Sequence, residues 1–360
     1  MGSVSREDAA PRGAGPSVRA PGRILVTRLR QIGDVILSLP VVEALRAAFP
    51  SARIDYLAEE TPAQAALGHP ALSDVIALRP WPGAAILPAS PGVLTRLRAA
   101  RYDWVVDLYG NPRSAALAVW SGAPVRIGPD RRGRRRLYTH PVPSPGPVSA
   151  VVHHLASLRV VGLVPPPTSP RLHLSGEELA LGRARLDAAL PAGRPRVGFH
   201  VGNRWAAKRW PEERFVALLR ALPRLGARGV VLAGPGEEDL AGRIAEGAPG
   251  TPVVADLSLR GYWGVLASLD ALVTNDGSPL HAGPALRVPT VGLLGPTEPE
   301  IWFPYSAREG HQLLCKEIWC RPCHRHECPR LDCLDWIEVR DAIEAVRRAL
   351  GHAESERASA

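Results

Sequence analysis

Three stretches of this sequence put charged residues where an apolar strand gives way to a helix. The first is ILVTRLRQIGDVILSLP, residues 24–40, in which Gly33 and Asp34 sit at the changeover. An Asp at a helix start accepts N–H bonds from the first turn and is favoured by the helix dipole. The same place, with one carboxylate oxygen left toward a cleft, suits a general base. The residues alone leave both readings open. The second stretch is HVGNRWAAKRWPEERF, residues 200–215, whose polar loop carries Lys208 and Arg209 up to a helix. Cations beside a helix N-terminus make a diphosphate clamp, or else a solvated surface pair. Lysine is scarce here, Lys208 and Lys316 being the only two, which favours a role for Lys208. The third is TNDGSPLHAGPALRVPTVGLLGPTEP, residues 274–299. It sets Asp276, Gly277 and Ser278 at a strand-to-helix turn, His281 one helical turn later, and Thr297 just past the next strand. Such a turn can cradle a nucleotide diphosphate or be purely structural. Neither a P-loop nor a GxGxxG spacing is present.

Two further clusters stand apart. RIGPDRRGRRRLYTH, residues 126–140, is too dense in charge for a core. It reads as a solvated loop or as an anion-binding patch through Arg131, Arg132, Arg134 and Arg135. With a single interleaved aromatic, Tyr138, it lacks the stacking platform expected for nucleic acid. All five cysteines fall between 315 and 333, in CKEIWCRPCHRHECPRLDC. The spacing allows a structural zinc site on Cys320, Cys323, Cys328 and Cys333, less readily an iron–sulfur site, or simply free thiols.

These residues need a scaffold of two α/β domains. A chain of 360 residues with 46% apolar residues is long enough for two. Short apolar runs alternate with helical segments in both halves, the pattern of buried parallel strands in doubly wound sheets. The runs are 23–29, 53–59, 73–78 and 103–110, then 195–202, 229–234, 270–276, 289–295 and 311–315. Pro40 falls inside the first helix, where a kink is expected. We place an N-terminal Rossmann-like domain at 23–170 and a C-terminal one at 190–350, the latter including 315–333. The junction lies in 165–193. Residues 1–22 and 352–360 read as a disordered leader and tail, and the leader lacks the apolar core of a signal peptide. No run approaches the ~20 apolar residues of a membrane span. A net charge of +9 favours an acidic partner, and an odd, clustered cysteine count argues for a reducing cytoplasm.

In order, RLRQIGDVILSLPVVEALRAAFP, KRWPEERFVALL and TNDGSPLHAGPALRVPTVGLLGPTEPEIW resemble glycosyltransferase family 9, the ADP-heptose:lipopolysaccharide heptosyltransferases, over about 22–350. The resemblance implies a GT-B fold, two Rossmann-like domains facing across a cleft. It implies inverting, metal-independent transfer of heptose from ADP-heptose to a phosphorylated lipid A–core acceptor, at the cytoplasmic face of the inner membrane and its anionic leaflet. It puts the family's base on Asp34 beside Gly33, and its phosphate-binding Lys on Lys208 next to Arg209. The donor turn falls on Asp276, Gly277, Ser278 and His281, with Thr297 beyond. A ribose-binding acid falls on Glu238, with Glu237 adjacent. The turn reads Asp-Gly-Ser where many members have Asp-Ser-Gly or Asp-Thr-Gly. A related transferase of another surface glycan, or a non-enzymatic anion- or nucleic-acid-binding protein, are the rival expectations.

Overall fold

The computed structural model describes residues 19–81, 87–131 and 133–359. The leader up to residue 18 and Arg132 lie outside the described residues. Gly22 already belongs to the fold, since its N–H donates to Asp103.

The first half runs β1 (Arg23–Thr27), α1 (Ile32–Ala48), β2 (Arg53–Glu59), α2 (Glu60–Ala63), β3 (Asp74–Leu78) and α3 (Pro91–Ala99). It continues through β4 (Trp104–Asp107), α4 (Pro112–Trp120), β5 (Val125–Pro129), β6 (His140–Val142) and α5 (Ala150–Ala156). The second half runs α6 (Gly176–Ala189), β7 (Arg196–His200), α7 (Glu212–Ala221), β8 (Arg228–Leu232), α8 (Glu238–Gly247), β9 (Val253–Val254) and α9 (Leu259–Leu266). It ends with β10 (Ala271–Asn275), α10 (Ser278–Ala285), β11 (Thr290–Leu293), α11 (Pro299–Trp302), β12 (Gln312–Leu314), α12 (Asp332–Asp335) and α13 (Val339–Ser359).

Each half builds one six-stranded, wholly parallel sheet. The orders are β3-β2-β1-β4-β5-β6 and β12-β11-β10-β7-β8-β9. Counted from its own first strand, the second order is the first one again, so the chain repeats one doubly wound topology. In such sheets the winding direction reverses between the first and fourth strands, and ligands bind outside the carboxyl ends there. The reversal falls between β1 and β4 in one half and between β7 and β10 in the other. Those strands feed directly into Asp34, Lys208 and Asp276.

Helix α1 explains how the halves meet. Val35, Ile36, Leu37, Leu39, Val41, Val42 and Leu45 are all fully buried, so it is apolar around most of its circumference. A helix of that kind must be covered on several sides. It packs on the first sheet, on α5, and across the junction on α10. One apolar cluster therefore runs from Val35 and Leu39 into Ala282 and Ala285 of the second half. The helix continues through the buried Pro40.

The tail expected to be disordered from 352 is helical instead, α13 running to Ser359. Three contacts hold it: Ala353 is buried, His352 lies against Gly310, and Arg357 pairs with Asp270. Among the described residues, no helix is long and apolar enough to cross a membrane.

Candidate active site

On the N-terminal side, β1 delivers Arg28 and then the start of α1. The N-cap is Gln31, which corrects the expectation of Asp34 as the cap itself. Asp34 is the third helical residue. It closes the turn from inside, its Oδ2 accepting the Gln31 N–H at 3.1 Å. Its Oδ1 lies 2.8 Å from Arg28 Nη2, with the two side chains 16% and 13% exposed. Arg28 in turn stacks over the Tyr109 ring, 4.6 Å from the centroid. A carboxylate oxygen accepts more than one hydrogen bond. Asp34 is thus a fixed, charge-paired carboxylate that keeps lone pairs for a proton.

On the C-terminal side, Asp276 follows β10 and is almost fully buried. Its Oδ2 receives Lys208 Nζ at 2.6 Å and the Thr297 hydroxyl at 2.5 Å. Its main-chain carbonyl accepts from the Asn203 amide at 2.7 Å. The carboxylate therefore faces inward and organises the loops after β7, β10 and β11 around one charge. Lys208 keeps two of its three N–H donors for a ligand and lies 4.6 Å over the Trp205 ring. Gly277 caps α10 and Ser278 opens it. Lys208, the Ser278 hydroxyl and the positive end of the α10 dipole thus lie together, although Pro279 has no N–H and the Leu280 N–H already bonds Gly277 O at 3.1 Å. Arg209 is turned aside, its Nε donating to the Asn203 carbonyl at 2.7 Å.

His281 joins the two sides. It is buried on α10, with Nδ1 3.0 Å from the Tyr305 hydroxyl. A Cβ added to Gly33 would stand 2.6 Å from its Cδ2, so the residue before Asp34 must be glycine for the domains to close this far. Burial pushes the His281 pKa down to about 4, against the opposing pull of Asp276 and Asp34. His311 is likewise held near 4 by burial. Unfolded, each would titrate near its ordinary value of 6.5. The unfolded chain then binds more protons, so stability is complete above about pH 6.5 and falls as pH drops toward 4. The loss is about 3 kcal/mol per histidine. Urea midpoints at pH 7 and pH 5 should show it; equal midpoints would contradict it.

Of the two acids after β8, Glu237 is the one that faces the strand ends. Glu238 is exposed on the first turn of α8. Glu237 turns back to the strand ends, accepting the Gly234 N–H at 2.9 Å and standing 3.5 Å from His200 Nε2. It occupies the space a Cβ on Gly202 would fill.

The arginine run divides. Arg126 is spent on the carbonyls of Leu137 and Ala123, Arg134 on that of Gly110, and Arg135 lies 3.6 Å from Asp130. Tyr138 is buried, donating to Asp107 at 2.6 Å. Arg131 is exposed, and its guanidinium has no partner among the described residues.

Of the two readings of Cys320, Cys323, Cys328 and Cys333, a structural zinc site or free thiols, the structure has the thiols free. Among the described residues no three His, Cys, Asp or Glu side chains are arranged to hold a metal, and all five cysteines are free. The segment is organised by other contacts. Cys333 is buried against Gly295 and Leu334, and backbone N–H groups of Leu331 and Arg330 satisfy Cys328. The rest wraps the loops after β7 and β11. The Cys323 N–H bonds Pro296 O at 3.0 Å, and Arg321 bonds Gly295 O at 2.7 Å. The Ala207 N–H bonds His326 O at 3.0 Å, and the His326 ring stacks on Trp205 at 4.1 Å.

Sequence reasoning missed Arg28, Asn203, Trp205, Tyr305 and His326 as neighbours of these residues. Arg28 carried a signal, since it leaves β1 at the reversal point, six residues before Asp34. Tyr305 and His326 carried none, because only tertiary folding brings them in.

Two six-stranded parallel sheets of one repeated topology, with charged side chains gathered where their winding reverses, have the architecture of the GT-B class of glycosyltransferases. The chain belongs to glycosyltransferase family 9 (heptosyltransferase), whose family model matches residues 93–333. It is 32% identical over 321 residues to lipopolysaccharide heptosyltransferase 1 of Pseudomonas aeruginosa, covering 85% of this chain and 87% of that one. A family 9 glycosyl transferase from Veillonella parvula superposes with a TM-score of 0.79 over 91% of this chain and 97% of its own. At 24% identity that likeness speaks to the fold. An E. coli heptosyltransferase solved with ADP-2-deoxy-2-fluoro heptose superposes at 0.68 and 26% identity, over 90% of this chain and 98% of that one.

Proposed function

We propose that the protein transfers heptose from ADP-heptose to the lipopolysaccharide inner core, with inversion and without a catalytic metal. The observation that carries this reading is the meeting of Asp34, held by Arg28, with the Lys208–Asp276–Thr297 clamp across the α1–α10 contact. The relatives named lipopolysaccharide heptosyltransferase, and a neighbour solved with an ADP-heptose analogue, support the choice of donor and acceptor.

The acceptor hydroxyl gives its proton to Asp34 as its oxygen attacks the anomeric carbon from the N-terminal side. The bond from that carbon to the diphosphate breaks, and ADP leaves with the electron pair. Lys208, Ser278 and the positive end of the α10 dipole take up the charge gathering on the leaving oxygens. Lysine and a helix terminus supply the positive charge that a metal would otherwise bring. Glu237, turned to the strand ends of the same half, is assigned to the donor ribose. Arg131, Arg134 and Arg135 lie on the acceptor half, where acceptor phosphates and an anionic leaflet would meet positive charge.

Nucleotide binding tests the donor assignment. A ligand that binds only the folded chain raises its melting temperature. ADP is expected to do so in EDTA, and more than UDP, GDP or CMP at equal concentration. Selective stabilisation by another nucleotide would move the donor to that sugar class; a response only with Mg²⁺ would overturn metal independence.

A further inference from the structure

A row of polar side chains crosses the second half from α9 to the turn after β8. Tyr262, 8% exposed on α9, places its hydroxyl 3.1 Å from Nδ1 of His200, the last residue of β7. The other ring nitrogen of His200, Nε2, stands 3.5 Å from Glu237 Oε2. The Tyr262 and His200 rings meet edge to face, with centroids 5.8 Å apart.

The scaffold fixes both ends of the row. Ser258 caps α9, its hydroxyl accepting the Gly261 N–H at 3.1 Å. Helix α9 lies so close to α6 that a Cβ on Gly182 would collide with the Gly264 backbone. The Tyr262 hydroxyl is thereby held in place, and His200 is its one partner among the described residues. At the other end, Glu237 Oε2 accepts the Gly234 N–H at 2.9 Å, and the carboxylate lies across Gly202, where any Cβ would strike it. Glu237 Oε1 has no partner among the described residues.

The partners decide where the protons lie. A carboxylate only accepts, and a neutral imidazole has one N–H and one acceptor nitrogen. Tyr262 donating to Nδ1 puts the imidazole proton on Nε2, aimed at Glu237. Burial favours that neutral form, holding the His200 pKa below its ordinary value against the pull of Glu237. At 3.5 Å the Nε2 contact is longer than a hydrogen bond, so it steers the carboxylate without using up its lone pairs. One oxygen is tethered, and the other is left to accept hydroxyl groups. In doubly wound nucleotide sites, an acid beyond the turn that holds the phosphates bonds the ribose hydroxyls.

We propose that Tyr262 and His200 are positioning residues that present Glu237 Oε1 to the ribose of the donor, and so make the site select ribonucleotides over their deoxy counterparts. The proposal rests on the donor reading given above, to which Glu237 already belongs. It adds the pair behind that acid and the discrimination the pair enforces.

The test titrates the full-length protein calorimetrically with a ribonucleoside diphosphate and its 2′-deoxy and 3′-deoxy analogues, which needs no turnover. The nucleotide is ADP, or whichever of UDP and GDP the wild type binds more tightly, so an error about the base leaves the test intact. Wild type should prefer the ribonucleotide to at least one deoxy analogue by about tenfold, since a site built to bond a hydroxyl rejects the ligand that lacks it. Tyr262→Phe keeps the ring and removes one hydroxyl. It should weaken the ribonucleotide by about threefold to tenfold, the size of one lost hydrogen bond, and leave the rejected analogue unchanged. His200→Leu should erase the preference, and His200→Gln, whose amide can stand where Nε2 does, should restore part of it. A merely structural role would weaken all three ligands alike. That equal loss, no loss with Tyr262→Phe, or a preference that survives His200→Leu overturns the proposal and leaves the donor reading standing. A wild type that binds none of the nucleotides would sink both.

Discussion

Asp34→Asn is expected to lower kcat by about 10²–10⁴-fold while leaving ADP affinity near wild type. Asparagine keeps the size and one acceptor oxygen, so the 3.1 Å bond from the Gln31 N–H can persist. What it lacks is the ability to take a proton, and the charge that pairs with Arg28 at 2.8 Å. The proposed donor site lies in the other half of the chain, around the Lys208–Asp276 pair. The expected signature is therefore a fall in kcat without a matching change in donor KM or in ADP-induced stabilisation. A variant that transfers at near wild-type rate would reduce Asp34 to the capping role its helix position also explains.

Lys208→Ala carries the second large effect, and it acts twice. Removing a donor aimed at developing charge costs about 10²–10³-fold in kcat, and ADP binding weakens with it. It also strips the partner from a buried carboxylate, Asp276, leaving only the Thr297 hydroxyl at 2.5 Å. Breaking one half of a buried ion pair costs about 3–5 kcal/mol. Melting temperature and activity should therefore both fall. The double variant Lys208→Ala/Asp276→Asn separates them. It removes the orphaned charge and should recover most of the stability, yet none of the ADP affinity. Recovered activity in the double variant would mean that Lys208 serves the fold and not the diphosphate.

Much of this was legible in the sequence, for physical reasons that differ by element. The central strands β1, β4, β7 and β10 are buried on both faces and so read as uninterrupted apolar runs. The chemistry sits on the loops that follow them, which is why Asp34, Lys208 and Asp276 stand out as polar breaks after such runs. Strands β6 and β9 went unread. They are three and two residues long and lie at sheet edges, and β6 contains Pro141, which an edge tolerates. Strand β5 was hidden inside the arginine run, where Arg126 bonds two carbonyls instead of facing solvent. Which of Glu237 and Glu238 faces the strand ends depended on a turn too local for pattern reasoning, and the cysteine spacing left metal and free thiols open, whereas the chain there wraps the loops after β7 and β11. The helical end of α13 was masked by polar composition; its anchors, Asp270 and Gly310, are distant in sequence.

The central claim is transfer of a heptose from ADP-heptose by this cleft. The most direct measurement is mass spectrometry of a heptose-free lipopolysaccharide inner-core acceptor after incubation with the purified protein and ADP-heptose in EDTA. The account predicts an acceptor heavier by one heptose, ADP released in equal amount, and loss of both with Asp34→Asn. An unmodified acceptor under conditions where ADP-heptose stabilises the protein, or a product formed only when a divalent metal is restored, would contradict it.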